Sequence, residues 1–316
     1  MMTQMVLRRI AIGVATLFVV SIIVFVGTSI LPGDVAQILL GQAATEETLA
    51  ALRAKLGLDQ PAYVQYFSWL GNMASGDLGI SKAGGASISS MIGGRLGNTM
   101  FLAGMVALIA VPMSVVLGLY AAMHPGTWLD RIVTFGTLAT ISVPEFFIAT
   151  VLVLILAVEL HWLPAIAYLS GDESGWQLMR ALAMPMTTLI IVVSAQMIRM
   201  TRAGILNVMS SPYIEMAILK GVPRTRIILR HALFNAIGPI VNVIALNLAY
   251  LVSGVVIVET IFAYPGLAKL MIDGVQTRDL PLVQACAMIF CGVYVVLILL
   301  ADVASILSNP RLRHPK

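Results

Sequence analysis

Residues 211–239 read SPYIEMAILKGVPRTRIILRHALFNAIGP and form a basic, polar interruption between two long apolar runs. The pair Ser211-Pro212 is typical of a helix start, because Ser is a favoured N-cap and Pro is favoured at the first helical position. Glu215 falls in the first turn, where the helix dipole stabilises negative charge. Gly221 ends this helix after roughly two turns, and Val222-Pro223 begins a second helix that leads into the next apolar run.

A helix of two turns is not stable alone in water. It has to pack either on its own bundle or in the groove of a partner. Tyr213, Met216 and Leu219 are large enough to fill a cleft, and Ala217 allows close approach. The alternative is an ordinary basic loop that only orients the chain in a membrane, and the residues alone leave both interpretations open.

The composition on either side of this loop is that of a membrane protein. The chain has 316 residues, of which 59% are hydrophobic and 11% charged, whereas soluble domains carry about 25% charged residues. Six runs are long enough to cross a bilayer as helices: 10–31, 97–123, 132–158, 181–198, 236–258 and 280–301. The sequence therefore predicts an all-α polytopic membrane protein with six transmembrane helices.

The distribution of basic residues predicts the orientation of these helices. Most of the 19 lysine and arginine residues lie in segments on the same side as the two termini and residues 211–239. Because basic residues near span ends face the cytoplasm, both termini and this loop are expected to be cytoplasmic. The net charge of +4 is explained by orientation, and no nucleic-acid partner is expected.

Two external segments have a pattern of their own. Residues 32–96 contain a predicted amphipathic helix, capped by Thr45 and ended by Gly57, with an apolar stripe at Leu49, Leu52 and Leu56. We expect it to lie at the outer interface or over the pore, as a scaffold rather than as a substrate contact. Residues 259–281 are too apolar for a solvated loop and too polar to span, which predicts a re-entrant or half-buried helix.

Polar residues inside the predicted spans are candidate functional residues. Glu145 lies at the midpoint of 132–158, and an intramembrane carboxylate is by default a functional-site hypothesis. It is expected either to line a cavity or to bond a neighbouring helix such as the one carrying Gln196. Asn242 and Asn247 are expected to bond between helices first and to contact substrate second.

The loop resembles that of ABC importer permeases, specifically the dipeptide/oligopeptide/nickel branch. The matching loop residues are Tyr213, Ile214, Ala217, Lys220, Gly221, His231, Leu233, Asn235, Ala236 and Pro239. Further matches, in chain order, are Pro32-Gly33-Asp34, Leu56-Gly57-Leu58-Asp59 with Pro61, Gly76-Asp77-Leu78-Gly79, Arg199-Met200-Thr201-Arg202, Glu259-Thr260-Ile261-Phe262, Tyr264-Pro265-Gly266-Leu267, Arg278-Asp279 with Pro281, and Asn309-Pro310-Arg311. The departures from the branch pattern are Met216, Phe234 and Ala268.

The resemblance implies a type I importer permease fold with a long external segment after the first helix. It divides the chain into 1–94, a permease domain over 95–307 with its coupling loop at 203–235, and a basic cytoplasmic tail at 308–316. The implied ATPase-coupling residues are Tyr213, Ile214, Glu215, Ala217, Lys220 and Gly221. The implied supporting residues of the loop are Arg199, Arg202, His231 and Asn235.

The resemblance also implies partners and a location. These are a second homologous permease subunit, two ATP-binding subunits, an external solute-binding protein and the lipid of a bacterial inner membrane. No lysine is followed by Ser or Thr, so the chain lacks the phosphate-binding Walker A loop. ATP is therefore expected to be used by the partner subunits, and no catalytic, cofactor or metal site is expected here.

Two other function classes were weighed. A secondary transporter would carry inverted repeats and charged relay residues in several spans, but the predicted spans hold one carboxylate. An intramembrane enzyme would need a nucleophile with a base or metal ligands, yet all four histidines lie at span ends or in loops. Within the importer class the expected cargo is a di- or oligopeptide, and nickel chelates, glutathione-like and opine-type solutes remain alternatives.

Overall fold

The computed structural model describes residues 2–30, 40, 44–55, 59–168, 174–253 and 255–308. Five helical stretches there are long and apolar enough to cross a membrane, and a bent pair of helices makes a sixth. These are Val6–Ile30, Ile88–Met123, the pair Trp128–Ser142 and Glu145–Glu159, Gly175–Met209, Thr225–Ile261 and Leu280–Val303. The prediction of an all-helical chain with six spans is confirmed. The motifs at 32–34, 56–58 and 309–311 and most of the basic tail lie outside the described residues.

The helices carry the following labels. They are α1 (Met2–Ile30), α2 (Glu46–Lys55), α3 (Ala62–Ala74), α4 (Ile88–Met123), α5 (Trp128–Ser142), α6 (Glu145–Leu152), α7 (Gly175–Met209), α8 (Pro212–Leu219), α9 (Arg224–Ile227), α10 (Leu233–Ser253), α11 (Val256–Ile261), α12 (Leu267–Gln276) and α13 (Leu280–Ser308). Two π-helical segments, Val153–Glu159 and Ile228–Ala232, continue α6 and join α9 to α10.

The third span is broken, and its prediction as one continuous helix over 132–158 was wrong. The axes of α5 and α6 meet at 104°. Pro144 has no N–H to donate, and the residue before a proline is pushed out of the helical region. Val143 accordingly has an extended backbone, with φ −105° and ψ 130°. Glu145 is therefore the first residue of α6, at the break, instead of the midpoint of a straight helix.

Several spans are longer than their apolar runs. The second begins at Ile88 instead of 97, and the fourth runs from 175 to 209 instead of 181 to 198. The start of α7 is fixed by a capping box, in which Ser174 accepts from the Gln177 N–H and the Gln177 side chain accepts from the Ser174 N–H. Helices thus continue beyond the hydrocarbon region, where hydropathy no longer marks them.

The core is built around the packing of α4 on α7. Gly118 of α4 allows the close approach, because a Cβ there would lie 2.8 Å from Thr201 Cβ and 2.9 Å from the Ile198 carbonyl oxygen of α7. Residues of α10 and α13 complete this core, and the fully buried members include Leu102, Val106, Leu182, Met184, Leu189 and Phe262.

The first span lies against the last, at the periphery of the chain. Only 6% of the residues in its most apolar stretch are buried. Gly13 approaches Val295, the Gln284 amide donates to Thr28 Oγ1 at 2.6 Å, and Arg9 pairs with Asp302 at 3.1 Å. The contacts with α13 therefore hold one face of α1, and most side chains on its other faces are exposed.

The helices between the first and second spans were partly predicted. A helix is present at the predicted place as α2, and the Thr48 N–H donates to the Thr45 hydroxyl at 3.2 Å, as the cap prediction required. The stop at Gly57 and the side chains of Leu52 and Leu56 fall outside the described residues. Between α2 and the second span lies α3, a further helix that the sequence analysis did not predict.

Candidate functional site

The helix predicted in the basic loop is present as α8, and its first residue is Pro212. Ser211 precedes it with an extended backbone, as an N-cap residue does. Its hydroxyl, however, donates to the Val208 carbonyl at 2.5 Å and makes no capping bond. The position of the helix start is confirmed, while the capping role predicted for the Ser211 side chain was wrong. The proline, whose φ suits the first turn, marks the start instead.

The end of α8 is a Schellman motif. The Val222 N–H donates to the Ala217 carbonyl at 3.2 Å, and the Gly221 N–H donates to the Ile218 carbonyl at 2.9 Å. Gly221 has φ +72°, a left-handed conformation that glycine adopts without steric cost. The predicted stop at Gly221 is confirmed, and it sets the direction in which the chain leaves α8.

α8 is anchored on one side and uncovered on the other. Ile214 is completely buried. Four large apolar side chains of the same short helix are exposed, namely Tyr213 (42%), Met216 (55%), Ile218 (54%) and Leu219 (75%). The charged groups of Glu215 and Lys220 are exposed beside them. A two-turn helix thus presents a dense apolar surface with charges at its edge, which we call the α8 face.

A small core joins the segment that follows α8 to the membrane spans. After Gly221 the chain continues through α9 and a π-helical segment into α10, as predicted. Ile228 and Ala232 of the π-helical segment pack with Ala122 of α4, Ile205 of α7 and Ala236 of α10. Because packed interiors transmit strain, a displacement of the loop would be transmitted to α4, α7 and α10 together.

The predicted supporting residues differ in what they do. The Asn235 amide donates to the His231 carbonyl at 2.7 Å and so helps to hold the π-helical segment, while the His231 ring is exposed. Arg202 forms a bidentate pair with Asp130, with N–O distances of 2.6 and 2.9 Å. Arg199, one turn earlier on α7, is exposed. Arg202 therefore connects α7 to the start of α5, and Arg199 is left on the surface.

The partner of Arg202 is itself part of a turn. Asp130 is 4% exposed and also accepts from the Gly126 N–H at 2.9 Å. Gly126 has φ +77°, and the Thr127 hydroxyl caps α5. The ion pair thus joins the link between the second and third spans to the fourth span, close to the segment that carries α8.

Glu145 bonds a neighbouring helix, which is one of the two predicted alternatives. Its carboxylate accepts a hydrogen bond from the Tyr250 hydroxyl of α10, and both residues are half-buried. The helix is α10 and not α7, the example given from the sequence, whose Gln196 is exposed. The pair ties the break in the third span to the fifth span, and its partial exposure leaves the carboxylate accessible.

The two asparagines of α10 make no bond to another helix in the described part of the chain. The Asn247 amide donates to the Val243 carbonyl, one turn back in α10, at 2.9 Å. Asn242 is exposed. The predicted bonding between helices is therefore not how these side chains are satisfied, and Asn242 is left available to a cavity or to another subunit.

Residues 259–281 comprise the end of α11 and the following helix α12, so the prediction of a half-buried helix there is confirmed. Glu259, to which the sequence analysis gave no role, is completely buried. It accepts from the Thr99 hydroxyl of α4 at 2.6 Å and from the Lys269 N–H at 3.0 Å. Thr99 in turn accepts from the Leu267 N–H at 2.8 Å. One carboxylate therefore fixes the start of α12 against α4.

A second buried carboxylate holds the glycine-rich turn before α4. Asp279 is 1% exposed and accepts from the Ser81 hydroxyl and from the Ala83 N–H, the latter at 3.3 Å. Burial lowers the pKa of the neighbouring Lys82, although the charge of Asp279 opposes that shift. Both acids lie in the motifs Glu259-Thr260-Ile261-Phe262 and Arg278-Asp279, which carry the resemblance to importer permeases, but neither motif predicted these contacts.

Gly266→Ala should destabilise the external segment strongly. A Cβ at Gly266 would lie 2.0 Å from Glu259 Oε1 and 2.1 Å from its carboxyl carbon. We expect the free energy of unfolding in detergent to fall by about 3 kcal/mol, the upper part of the range for overpacking a packed site. Gly136→Ala is the matched control, because no atom lies within 4 Å of a Cβ there. A loss no larger than that of the control would contradict the contact.

Comparisons with known proteins bear on this arrangement. The family described as "Binding-protein-dependent transport system inner membrane component" matches residues 114–314, and its N-terminal companion matches residues 2–93. A probable peptide ABC transporter permease of Sinorhizobium fredii is 33% identical over 309 residues, covering 98% of this chain and 99% of that protein.

Two further relatives cover the chain as completely. A putative peptide transport system permease of Brucella melitensis is 35% identical, covering 99% of this chain and all of that protein. The glutathione transport system permease GsiC of Escherichia coli is 34% identical, with the same coverage. Proteins of this kind are permease subunits and are generally non-catalytic. The chain belongs to the family of inner-membrane components of binding-protein-dependent transport systems, the permease subunits of ABC importers.

Proposed function

We propose that this chain forms half of the translocation pathway of an ATP-driven importer for small peptides. The observation that carries the proposal is the α8 face, an exposed apolar surface on a helix anchored by the buried side chain of Ile214. In this proposal an ATP-binding subunit covers the α8 face, and a second permease subunit completes the pathway. A binding protein delivers the cargo from outside. The termini and α8 are cytoplasmic, as the basic residues favour.

The chain's part in transport is mechanical. Closure of the ATP-binding subunits on ATP displaces α8, and the core of Ile228, Ala232 and Ile205 passes the displacement to α4, α7 and α10. Because packed interfaces switch between discrete arrangements, the spans rock and the cavity opens first outward and then inward. ATP binds to the partner subunits. This chain supplies α8, which receives the displacement, and the spans that line the pathway.

The names of the relatives support a peptide cargo. Two of them are described as peptide permeases and a third as a glutathione permease, and glutathione is itself a tripeptide. The test is uptake into proteoliposomes that contain the assembled transporter and its binding protein. Labelled dipeptide, oligopeptide and glutathione are supplied in turn, with ATP or a non-hydrolysable analogue inside. If none of the three compounds is taken up in the presence of ATP, the proposed cargo class is excluded.

Purification of the tagged full-length chain from its native membranes tests the assembly. We expect mass spectrometry to identify a second permease and ATP-binding subunits in the same complex. Variants that place a charge on the α8 face, such as Leu219→Asp, should lose the ATP-binding subunits and keep the second permease. Recovery of the folded chain without any ATP-binding subunit would contradict the proposal.

Glu145→Gln should reduce uptake if the carboxylate faces the pathway. A negative group at the break of the third span would attract the ammonium group of a peptide. We expect uptake to fall roughly tenfold, which corresponds to about 1.4 kcal/mol in the barrier. Tyr250→Phe is the control, because it removes the hydrogen bond and keeps the charge. Normal uptake by Glu145→Gln at normal expression would remove Glu145 from the pathway.

A further inference from the structure

The depth of each residue of α1 in the membrane can be read from its two ends. Arg9, paired with Asp302, marks the polar boundary on the N-terminal side. Ser21 lies twelve residues further on, about 18 Å along the helix axis, and Ile30 lies a further 13 Å or so beyond it. With a hydrocarbon core of about 30 Å, Ser21 lies well inside the leaflet at the C-terminal end of α1. We call this the distal leaflet.

α3 crosses α1 at the depth of Ser21. The Tyr66 hydroxyl and the Ser21 hydroxyl share a buried hydrogen bond of 2.7 Å. The Tyr66 ring lies 5.4 Å from the ring of Phe25 and 6.4 Å from that of Phe18. Trp69 also contacts Phe25, with ring centroids 5.8 Å apart. Four ring and hydroxyl contacts therefore place α3 beside the middle of a span, where a solvated loop would not reach.

The composition of α3 suits that depth. Its sequence, AYVQYFSWLGNMA, has no charged residue, whereas α2 carries four charges in ten residues, EETLAALRAK. Being helical, α3 satisfies most of its own backbone polar groups, as lipid requires. The Gln65 amide donates to the Gln60 carbonyl at 2.8 Å. Next to Tyr66, the apolar side chains of Tyr63 and Phe67 are 67% and 60% exposed, and the Phe67 ring lies 5.2 Å from that of Tyr66.

We propose that α3 is embedded in the distal leaflet and that lipid acyl chains cover Tyr63, Val64 and Phe67. This surface continues the open faces of α1, whose apolar side chains are exposed along the whole span, for example Ile23 and Val26. A protein partner is the other conceivable cover. Lipid is favoured because the depth set by Ser21 is that of acyl chains, and because Tyr63, Val64 and Phe67 carry no charge to direct a protein contact.

The proposal separates the external segment into two parts with different environments. α2 is the interfacial part, and α3 is a membrane-embedded wedge attached to the first span. Met73 at its far end packs with the cluster of Ile88, Ile92 and Leu270. The wedge therefore connects the peripheral first span to the start of α4 and to the half-buried helix α12, independently of the proposed cargo.

Spin-label accessibility tests the depth of α3 in the assembled transporter in liposomes. A nitroxide is attached to Phe67→Cys and, separately, to Tyr63→Cys, with the unsubstituted protein as the blank for its two native cysteines. Ile23→Cys on α1 is the lipid reference, and Thr48→Cys on α2 is the aqueous reference. Collision rates are measured with oxygen, which concentrates in lipid, and with a water-soluble nickel chelate.

We expect the oxygen-to-nickel ratio at positions 67 and 63 to exceed that at 48 several-fold and to approach that at 23. Replacing the anchor, as in Tyr66→Phe, should lower the ratio at 67 by weakening the contact with Ser21. Nickel accessibility at 67 equal to that at 48 would overturn the proposal by placing α3 in water. Low accessibility to both reagents would overturn it by placing a protein surface over α3.

Discussion

Gly221→Val is expected to lower ATP-driven uptake about tenfold or more while the chain still inserts and assembles its spans. Gly221 has φ +72°, and no atom lies within 4 Å of a Cβ built there. Any effect must therefore come from the backbone. A left-handed conformation costs a non-glycine residue about 1–2 kcal/mol, and a β-branched residue is a genuine outlier there. A free-energy difference of 1.4 kcal/mol changes an equilibrium constant about tenfold. We expect the backbone at position 221 to leave the left-handed conformation to relieve this strain, and that change would redirect α8.

Gly221→Asn is the matched control for this substitution. Asparagine adds a side chain of similar size but adopts the left-handed region more readily. The account predicts uptake close to that of the unsubstituted protein for Asn and a large loss for Val, with the same amount of chain in the membrane. Equal uptake by the two variants would mean that the direction of the chain after α8 does not matter for coupling.

Asp130→Ala should cost about 3 kcal/mol of unfolding free energy, the lower end of the range for removing one partner of a buried ion pair, because the Arg202 side chain is 26% exposed. Asp130 is 4% exposed, and its loss leaves Arg202 and the Gly126 N–H without their acceptor. The measurement is denaturant unfolding in micelles. The control is Arg199→Ala, at an exposed position on α7, the helix that carries Arg202. It should change the unfolding free energy by less than about 0.5 kcal/mol.

A double-mutant cycle separates the pair from its surroundings. Asp130→Ala and Arg202→Ala together should cost clearly less than the sum of the two single changes, because residues in contact are not additive. Arg202→Lys keeps the charge and loses the bidentate geometry, so it should retain only part of the stability. Additive losses would show that Asp130 acts through the turn at Gly126 alone.

The spans and α8 could be predicted because their signals are local. Continuous apolar runs locate the spans, and the Pro212 and Gly221 positions bound α8 within a few residues. The bend at Pro144 could not be read in the same way, since prolines are tolerated inside transmembrane helices when neighbours satisfy the freed groups. Whether the helix breaks depends on the packing around it.

The buried acids could not be found from the sequence because their partners are remote. Glu259 accepts a hydrogen bond from Thr99, which lies 160 residues earlier in the sequence. Asp279 accepts one from Ser81, which lies 198 residues earlier. Arg202 was singled out from a motif, but Asp130 lies 72 residues away. In each case the sequence places the charge in a loop or near a span end, and only the fold brings its hydrogen-bonding partner to it. The motif resemblance supplied the family but none of these contacts.

Photo-cross-linking from two tyrosine positions is the most direct measurement of whether an ATP-binding subunit covers the α8 face. Tyr213 is 42% exposed on α8, and Tyr168 is 75% exposed in the loop between the third and fourth spans, on the opposite side in the proposed orientation. A photoreactive phenylalanine derivative replaces each in turn in the assembled transporter. The account predicts a covalent adduct with an ATP-binding subunit from position 213 only, with a yield that changes when ATP is added. No adduct from 213, or an adduct with that subunit from 168, would contradict it.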